Sequence, residues 1–193
     1  AGLALAALVP PAVAADTFTF DTSHTNVGFA VKHMVISTVK GRFNDFSGVI
    51  TYDPQDVTKS SVEVTIKTAS IDTGNADRDK HLKSADFFDA EKYPEITFVS
   101  ERVTKVSDTE LLVRGALTIK GQSRQVDLPV TVLGIADLAP EMQQAFGGIR
   151  QVASFEAKLT LDRRDFGVGV GNWAATAVVG KDVEIVIAIE ANR

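Results

Sequence analysis

The chain has 193 residues, enough for one substantial core and short for two, and its 45% hydrophobic and 23% charged composition excludes a disordered chain and a multi-span membrane protein. Twenty Lys and Arg against 25 Asp and Glu give a net charge of −5, with no basic run longer than two residues, which excludes the electrostatic footprint of a nucleic-acid binder. Zero cysteines remove disulfides, thiol nucleophiles, iron–sulfur clusters and thiolate zinc sites, so any metal would need His, Asp or Glu.

Residues 1–15, AGLALAALVPPAVAA, carry no charge, whereas charges recur every few positions from Asp16 onward. The apolar run Leu3–Val9, the Pro10-Pro11 break and the small-x-small triplet Ala12-Val13-Ala14 predict the remnant of a secretory signal peptide, cleaved after Ala14 or Ala15. A membrane anchor or a first strand is the alternative, but the run falls short of the ~20 apolar residues that span a bilayer. The expected product is a single exported domain, residues 16–193, placed in the periplasm or secreted, with no integral membrane span.

Beyond Asp16 the sequence is written at period two. Val27, Phe29, Val31 and His33 alternate with Gly28, Ala30, Lys32 and Met34, which predicts a half-buried strand. Val62, Val64 and Ile66 alternate with Glu63, Thr65 and Lys67, and Leu111, Val113, Gly115, Leu117 and Ile119 form a third row against Arg114, Thr118 and Lys120. Val126/Leu128/Val130/Val132, Phe155/Ala157/Leu159/Leu161 and Val183/Ile185/Ile187/Ile189 repeat the pattern. With Thr17–Asp21, Gly41–Tyr52 and Ile96–Val103, eight or nine strands are expected. Short polar breaks such as Tyr52-Asp53-Pro54, Ser107-Asp108 and Gly121-Gln122 favour hairpins and a mainly antiparallel sheet. Helical periodicity is confined to a short excursion over residues 75–88 and a second candidate over 139–145. That many strands with one wet face must close or stack, so a barrel is expected and a sandwich is the alternative.

Signatures of catalysis are missing: no G-x-S-x-G elbow, H-E-x-x-H pair, P-loop or EF-hand loop occurs. Gly169-Val170-Gly171-Asn172-Trp173-Ala174 fits G-x-G-x-x-A but lacks a βαβ setting, and reads as a glycine loop carrying Trp173 onto or over the barrel. His24, His33 and His81 are too scattered for a local metal motif, although folding could gather them with Asp72, Asp77 or Asp79. His33 ends an inward row, as a satisfied core histidine or a polar group at a cavity mouth. Arg163-Arg164-Asp165 and Arg78-Asp79-Lys80 read as surface or strand-end ion pairs, or as forks for an anionic headgroup. Phe29, Phe43, Phe98, Leu117, Phe155, Ile185 and Ile187 give the inward rows an apolar interior, and an eight-stranded barrel can be filled by its side chains or hold one slender ligand.

Six motifs in order resemble the YceI-like polyisoprenoid-binding family of exported bacterial proteins. They are His24-x4-Phe29-x-Val31-x-His33; Gly41-Arg42-Phe43 with Phe46 and Gly48; Arg78-Asp79-Lys80-His81-Leu82-Lys83-Ser84-Ala85-Asp86-Phe87-Phe88; Tyr93-Pro94-x-x-Thr97-Phe98; Gly115-x-Leu117-Thr118-Ile119-x-Gly121; and Arg163-x-Asp165-Phe166-Gly167. The resemblance implies an all-β, antiparallel, eight-stranded lipocalin-like barrel. Its pore would bind, transport or store a polyisoprenoid lipid, such as a polyprenyl pyrophosphate or an isoprenoid quinone, with no catalytic residues and no cofactor. On this reading the inward rows are the tail site. Phe29, Val31, Phe43, Val64, Ile66 and Phe98 lie on its first strands, and Leu117, Ile119, Phe155, Leu159, Ile185 and Ile187 on its last, with Trp173 added from the glycine loop. His33, Arg42, Arg78 and His81 are the headgroup candidates, because a charged donor near a mouth would suit a pyrophosphate. A small-substrate or metal-dependent enzyme using His33, His81 and nearby acids is the competing reading, a stress-response structural module is another, and a homodimer is left open.

Overall fold

The computed structural model describes residues 15–193, so the signal-peptide reading of residues 1–15 lies outside them but for Ala15. The period-two rows become eleven strand segments: β1 (Asp16–Phe20), β2 (Asn26–His33), β3 (Ser37–Phe43), β4 (Phe46–Tyr52), β5 (Ser61–Lys67), β6 (Ile71–Asp72), β7 (Glu95–Lys105), β8 (Glu110–Ile119), β9 (Gln122–Asp137), β10 (Gln151–Asp162) and β11 (Val179–Asn192). Their antiparallel pairings close on themselves, because β11 bonds β10 along one edge and both β2 and β1 along the other. The result is an eight-stranded closed barrel, and the sandwich alternative is set aside.

Eleven segments fill eight positions because three neighbouring strands are each broken. β1 gives way to β2 at residues 21–25, β3 to β4 at 44–45, and β5 to β6 at 68–70. β4 pairs with β1 and β5, and β3 with β2 and β6, so the breaks are adjacent across the sheet. The expected strand Gly41–Tyr52 is therefore corrected to two, interrupted at Asn44-Asp45. The interruption is held by the Lys67 N–H donating to the Asp45 carbonyl (2.9 Å) and the Asn44 N–H to the Ser70 carbonyl (3.2 Å). Aligned breaks let the sheet bend sharply enough to close around a narrow interior.

A bulge between Ser100 and Arg102 in β7 resets the alternation, so that Ile96, Phe98 and then Val103 all face inward. The Ser100 hydroxyl accepts from the Val62 N–H (2.8 Å) there. At the end carrying Tyr52, the buried Asp53 carboxylate accepts from the N–H groups of Gln55 and Asp56, both at 2.9 Å, which fixes the turn expected from Asp53-Pro54.

Both helical excursions are present. α1 (Ala76–Lys83) starts at Asn75, whose side chain accepts from the Arg78 N–H, with Asp77 and Asp79 in its first turn and Lys80, His81 and Lys83 in its last. It stops before residue 88 because the chain turns so that Phe87 and Phe88 enter the barrel end, with the Phe88 N–H bonded to the Leu82 carbonyl (3.0 Å) and Asp89 at φ 52°. α2 (Pro140–Ala145) lies in the β9–β10 connection at the opposite end.

Candidate functional site: an apolar cavity along the barrel

The inward rows do not meet in the middle. They enclose a cavity of about 250 Å³ with walls from every position around the barrel, reaching from Tyr52, Ser60 and Ser61 at one end to Arg163, Val168 and Val179 at the other. From Phe155 to Arg163 along β10 is eight residues, ~26 Å at ~3.3 Å each, or ~20 Å along the axis of a tilted barrel. A volume below the usual ~300–1,000 Å³ of ligand pockets, drawn out over that length, is a long narrow space. Its consequence is visible in exposure: Phe29, Ile185, Ile187 and Ile189 point inward yet stay only half-buried.

Every side chain expected along a lipid tail lines this cavity except Trp173. Trp173 stands outside the α1 cap, against Phe87 (5.7 Å between ring centres) and His81 (4.8 Å), and its Nε1–H donates to Asp86 Oδ2 (3.3 Å). Leu82, Phe87 and Phe88 close the space beneath it, with Phe88 edge-on to Phe43 at 6.0 Å. Phe87, Phe166 and Val168 form a small core of their own at this end.

The four headgroup candidates lie around the same end, none of them in the cavity wall. His81 shares Asp86 Oδ2 with Trp173, at 3.0 Å, and that hydrogen bond holds the Asp86 carboxyl below its ordinary range. Arg78 turns back on Thr73, donating to its Oγ1 and its carbonyl, both at 2.7 Å. Arg42 leans toward Asp72 at 3.9 Å, and His33 is exposed at the end of β2.

Arg163 overturns its reading as a surface ion pair. It is only 6% exposed and lines the cavity. All five guanidinium N–H groups are taken by carbonyls: Nε by Gly180 (2.9 Å), one terminal nitrogen by Val168 (2.8 Å) and Gly169, the other by Trp173 (2.8 Å) and Val179 (3.0 Å). Burial pushes its pKa down, and the ion pair falls to its neighbour, Arg164 with Asp162 at 2.6 Å. The signal was present in the sequence: Phe155, Ala157, Leu159 and Leu161, continued by two, put residue 163 on the inner face. Glu156, the other charged residue beside the cavity, sits on the solvent side of β10.

Of the acids expected near the histidines, Asp79 accepts from the Thr73 N–H (2.9 Å) and Asp72 from that of Gly74 (2.9 Å), while Asp77 lies in the first turn of α1. A different group assembles at the β1–β2 break, where His24 Nδ1 stands 3.0 Å from Asp21 and 3.4 Å from Glu190. The Asp21 hydrogen bond raises the His24 pKa and lowers that of Asp21, and the trio brings the β1–β2 break against β11.

Residues 18–191 match the YceI-like domain. A UPF0312 protein of Vibrio cholerae is 39% identical over 171 residues, 88% of this chain and 86% of that one. The crystal structure of Burkholderia cenocepacia BcnA superposes with a TM-score of 0.78 at 30% identity, over 89% of this chain and 98% of that one. A polyisoprenoid binding domain from Saccharophagus degradans implicated in plant cell wall breakdown shares the fold, with a TM-score of 0.66 at 14% identity, over 91% and 97% of the two chains. The motifs, the closed barrel and a match across nearly the whole described chain agree, and the chain belongs to the YceI-like family.

Proposed function

We propose that this protein binds a polyisoprenoid lipid in its barrel and carries or stores it in the periplasm. The observation that supports this most is the shape and chemistry of the cavity, a slender apolar space running much of the barrel's length. At ~25 cal/mol per Å², withdrawing a long isoprenoid tail from water is strongly favourable, and a linear chain suits a narrow tunnel. The name of the S. degradans relative points the same way. Binding is preferred to catalysis because the one charged side chain directed into the wall, Arg163, has every donor committed to carbonyls.

The headgroup belongs, on this proposal, at the α1-capped end, where the buried charge of Arg163 and the His81–Asp86–Trp173 group lie. Native mass spectrometry of protein expressed in a bacterial periplasm and purified without detergent tests the reading. A co-purifying species with the mass of a polyprenyl lipid is expected. Protein that emerges empty and takes up neither a polyprenyl pyrophosphate nor an isoprenoid quinone would overturn it.

A further inference from the structure

We propose that the β2–β3 hairpin tip docks on the surface of an anionic lipid bilayer and presents the adjoining end of the barrel to it. The tip, Met34-Val35-Ile36, is 56%, 66% and 85% exposed, three consecutive large apolar side chains with no place in the core. Met34 and Val35 hold φ of 50° and 68°, a region L-residues rarely adopt and a β-branched one least of all, so the residue choice at the tip does not suit the turn. The Met34 N–H donates to the Val178 carbonyl (2.9 Å), which adds the exposed Val178 to the patch.

Charge selects the occupant. The chain has a net charge of −5, yet residues 26–43 contain Lys32, Lys40 and Arg42 and no acid. Arg42 leans on Asp72, which leaves Lys32 and Lys40 as the cationic stem. On the neighbouring β11, Asp182 is held by Lys181 at 2.9 Å, and Glu184 is level with Ala30 and therefore with Lys40, so Lys32 is the stem cation closer to the tip. An apolar tip over a basic stem complements the interface of a negatively charged leaflet. The exposed residues at the opposite end, Met142 and Phe146 beside α2, lie in a segment, residues 137–150, that carries Asp137, Glu141 and Arg150, a net charge of −1, and lacks that complementarity.

Position supplies the purpose. Val179, next to Val178 and paired with His33, lines the cavity, and Arg163 holds the carbonyls of Val179 and Gly180. The tip thus stands on the rim where the cavity ends. Docking there extends the lipid-carrier reading above, and the test separates the two.

Co-sedimentation with vesicles of phosphatidylcholine containing 30% phosphatidylglycerol is compared with pure phosphatidylcholine, alongside uptake of a polyprenol added without vesicles. Wild-type protein should bind the anionic vesicles, and the triple variant Met34→Ser, Val35→Asn, Ile36→Ser should lose that binding while keeping its melting temperature and its uptake. Lys32→Glu with Lys40→Glu should weaken it by about tenfold or more, since each basic residue near such a surface counts for ~1 kcal/mol, whereas Phe146→Ser should leave it unchanged. Equal binding by wild type and the triple variant, absence of vesicle binding, or a tip-dependent dimer in place of it would overturn the proposal. Vesicle binding by protein that takes up none of a polyprenol, a polyprenyl pyrophosphate and an isoprenoid quinone would sustain the docking surface and remove the lipid-carrier reading.

Discussion

Phe29 and Gly41 face each other across β2 and β3, and the Phe29 ring occupies the place a side chain at residue 41 would take: a Cβ there would lie 2.4 Å from Phe29 Cζ. The same device recurs at Gly115, where a Cβ would meet the Val99 carbonyl at 2.4 Å as well as the Phe98 ring at 2.7 Å. Inward glycines thus let aromatic rings lie flat along the wall instead of crossing the cavity.

The two sites predict different outcomes. At residue 41 the obstacles are the far end of the Phe29 ring, which can swing into the cavity, and the Thr73 methyl at 2.8 Å, whose hydroxyl is bonded to Asp79 and Arg78, so Gly41→Ala should cost some stability while obstructing tail binding. At residue 115 the obstacle includes backbone, so Gly115→Ala should cost ~1–3 kcal/mol as overpacking. Urea midpoints and uptake of a polyprenyl probe distinguish them; a Gly41→Ala variant with unchanged uptake would show that the Phe29 ring does not gate the tunnel.

Arg163 fastens the loop of residues 167–180 to the barrel. Arg163→Met would leave five carbonyls without their donor, each costing ~1–3 kcal/mol where water cannot reach it, so a loss of at least ~3 kcal/mol is expected. Lys, with three donors and no planar fork, should rescue only part. Hydrogen exchange should show residues 167–180 opening ahead of the strands. Uniform loss of protection across the barrel would instead make Arg163 a general core residue.

Most strands were legible because period two survives whatever the sheet encloses. Whether the enclosed space is empty was not, since Phe155, Leu159 and Ile185 would alternate identically around a solid core. The break at Asn44-Asp45 left a trace, because the inward row changes phase from Gly41 and Phe43 to Phe46, Gly48, Ile50 and Tyr52, but such a phase change reads equally as a bulge within one strand. A glycine loop carrying Trp173 onto or over the barrel was legible, but that Trp173 stands outside the tail cavity was not, since the loop's path depends on Arg163, a partner ten residues upstream whose burial is set by tertiary contacts rather than by its polar neighbours.

Acid should act at Asp162 in a definite window. Its carboxylate accepts from the Arg164 N–H (3.0 Å) and guanidinium (2.6 and 2.9 Å), which lower its pKa from 3.8 to about 2. The folded value is depressed, so the contribution is complete well above 3.8 and fades as pH falls through about 2. With Arg164 partly exposed, it amounts to no more than ~1 kcal/mol. The stability gap between wild type and Asp162→Asn, measured by urea unfolding, should be constant near neutrality and close on acidification; a gap that persists to the lowest pH would place its origin in packing.

Ala157 provides the cleanest test that the interior is hollow. It lies on β10 between Phe155 and Leu159, lines the cavity, and pairs with Val130 and Ile187, so its methyl marks a wide point of the space. In a filled core, Ala157→Trp would cost ~1–3 kcal/mol through forced rotamers and backbone shifts. Here the indole has a void to enter, and the apolar area it buries offsets much of the distortion. The expected result is a melting temperature within a few degrees of wild type, together with loss of polyprenyl uptake and of any co-purifying lipid in native mass spectra. A large fall in melting temperature in lipid-free protein would mean that no such space exists in solution, whereas full uptake by a stable variant would place the tail elsewhere on the molecule.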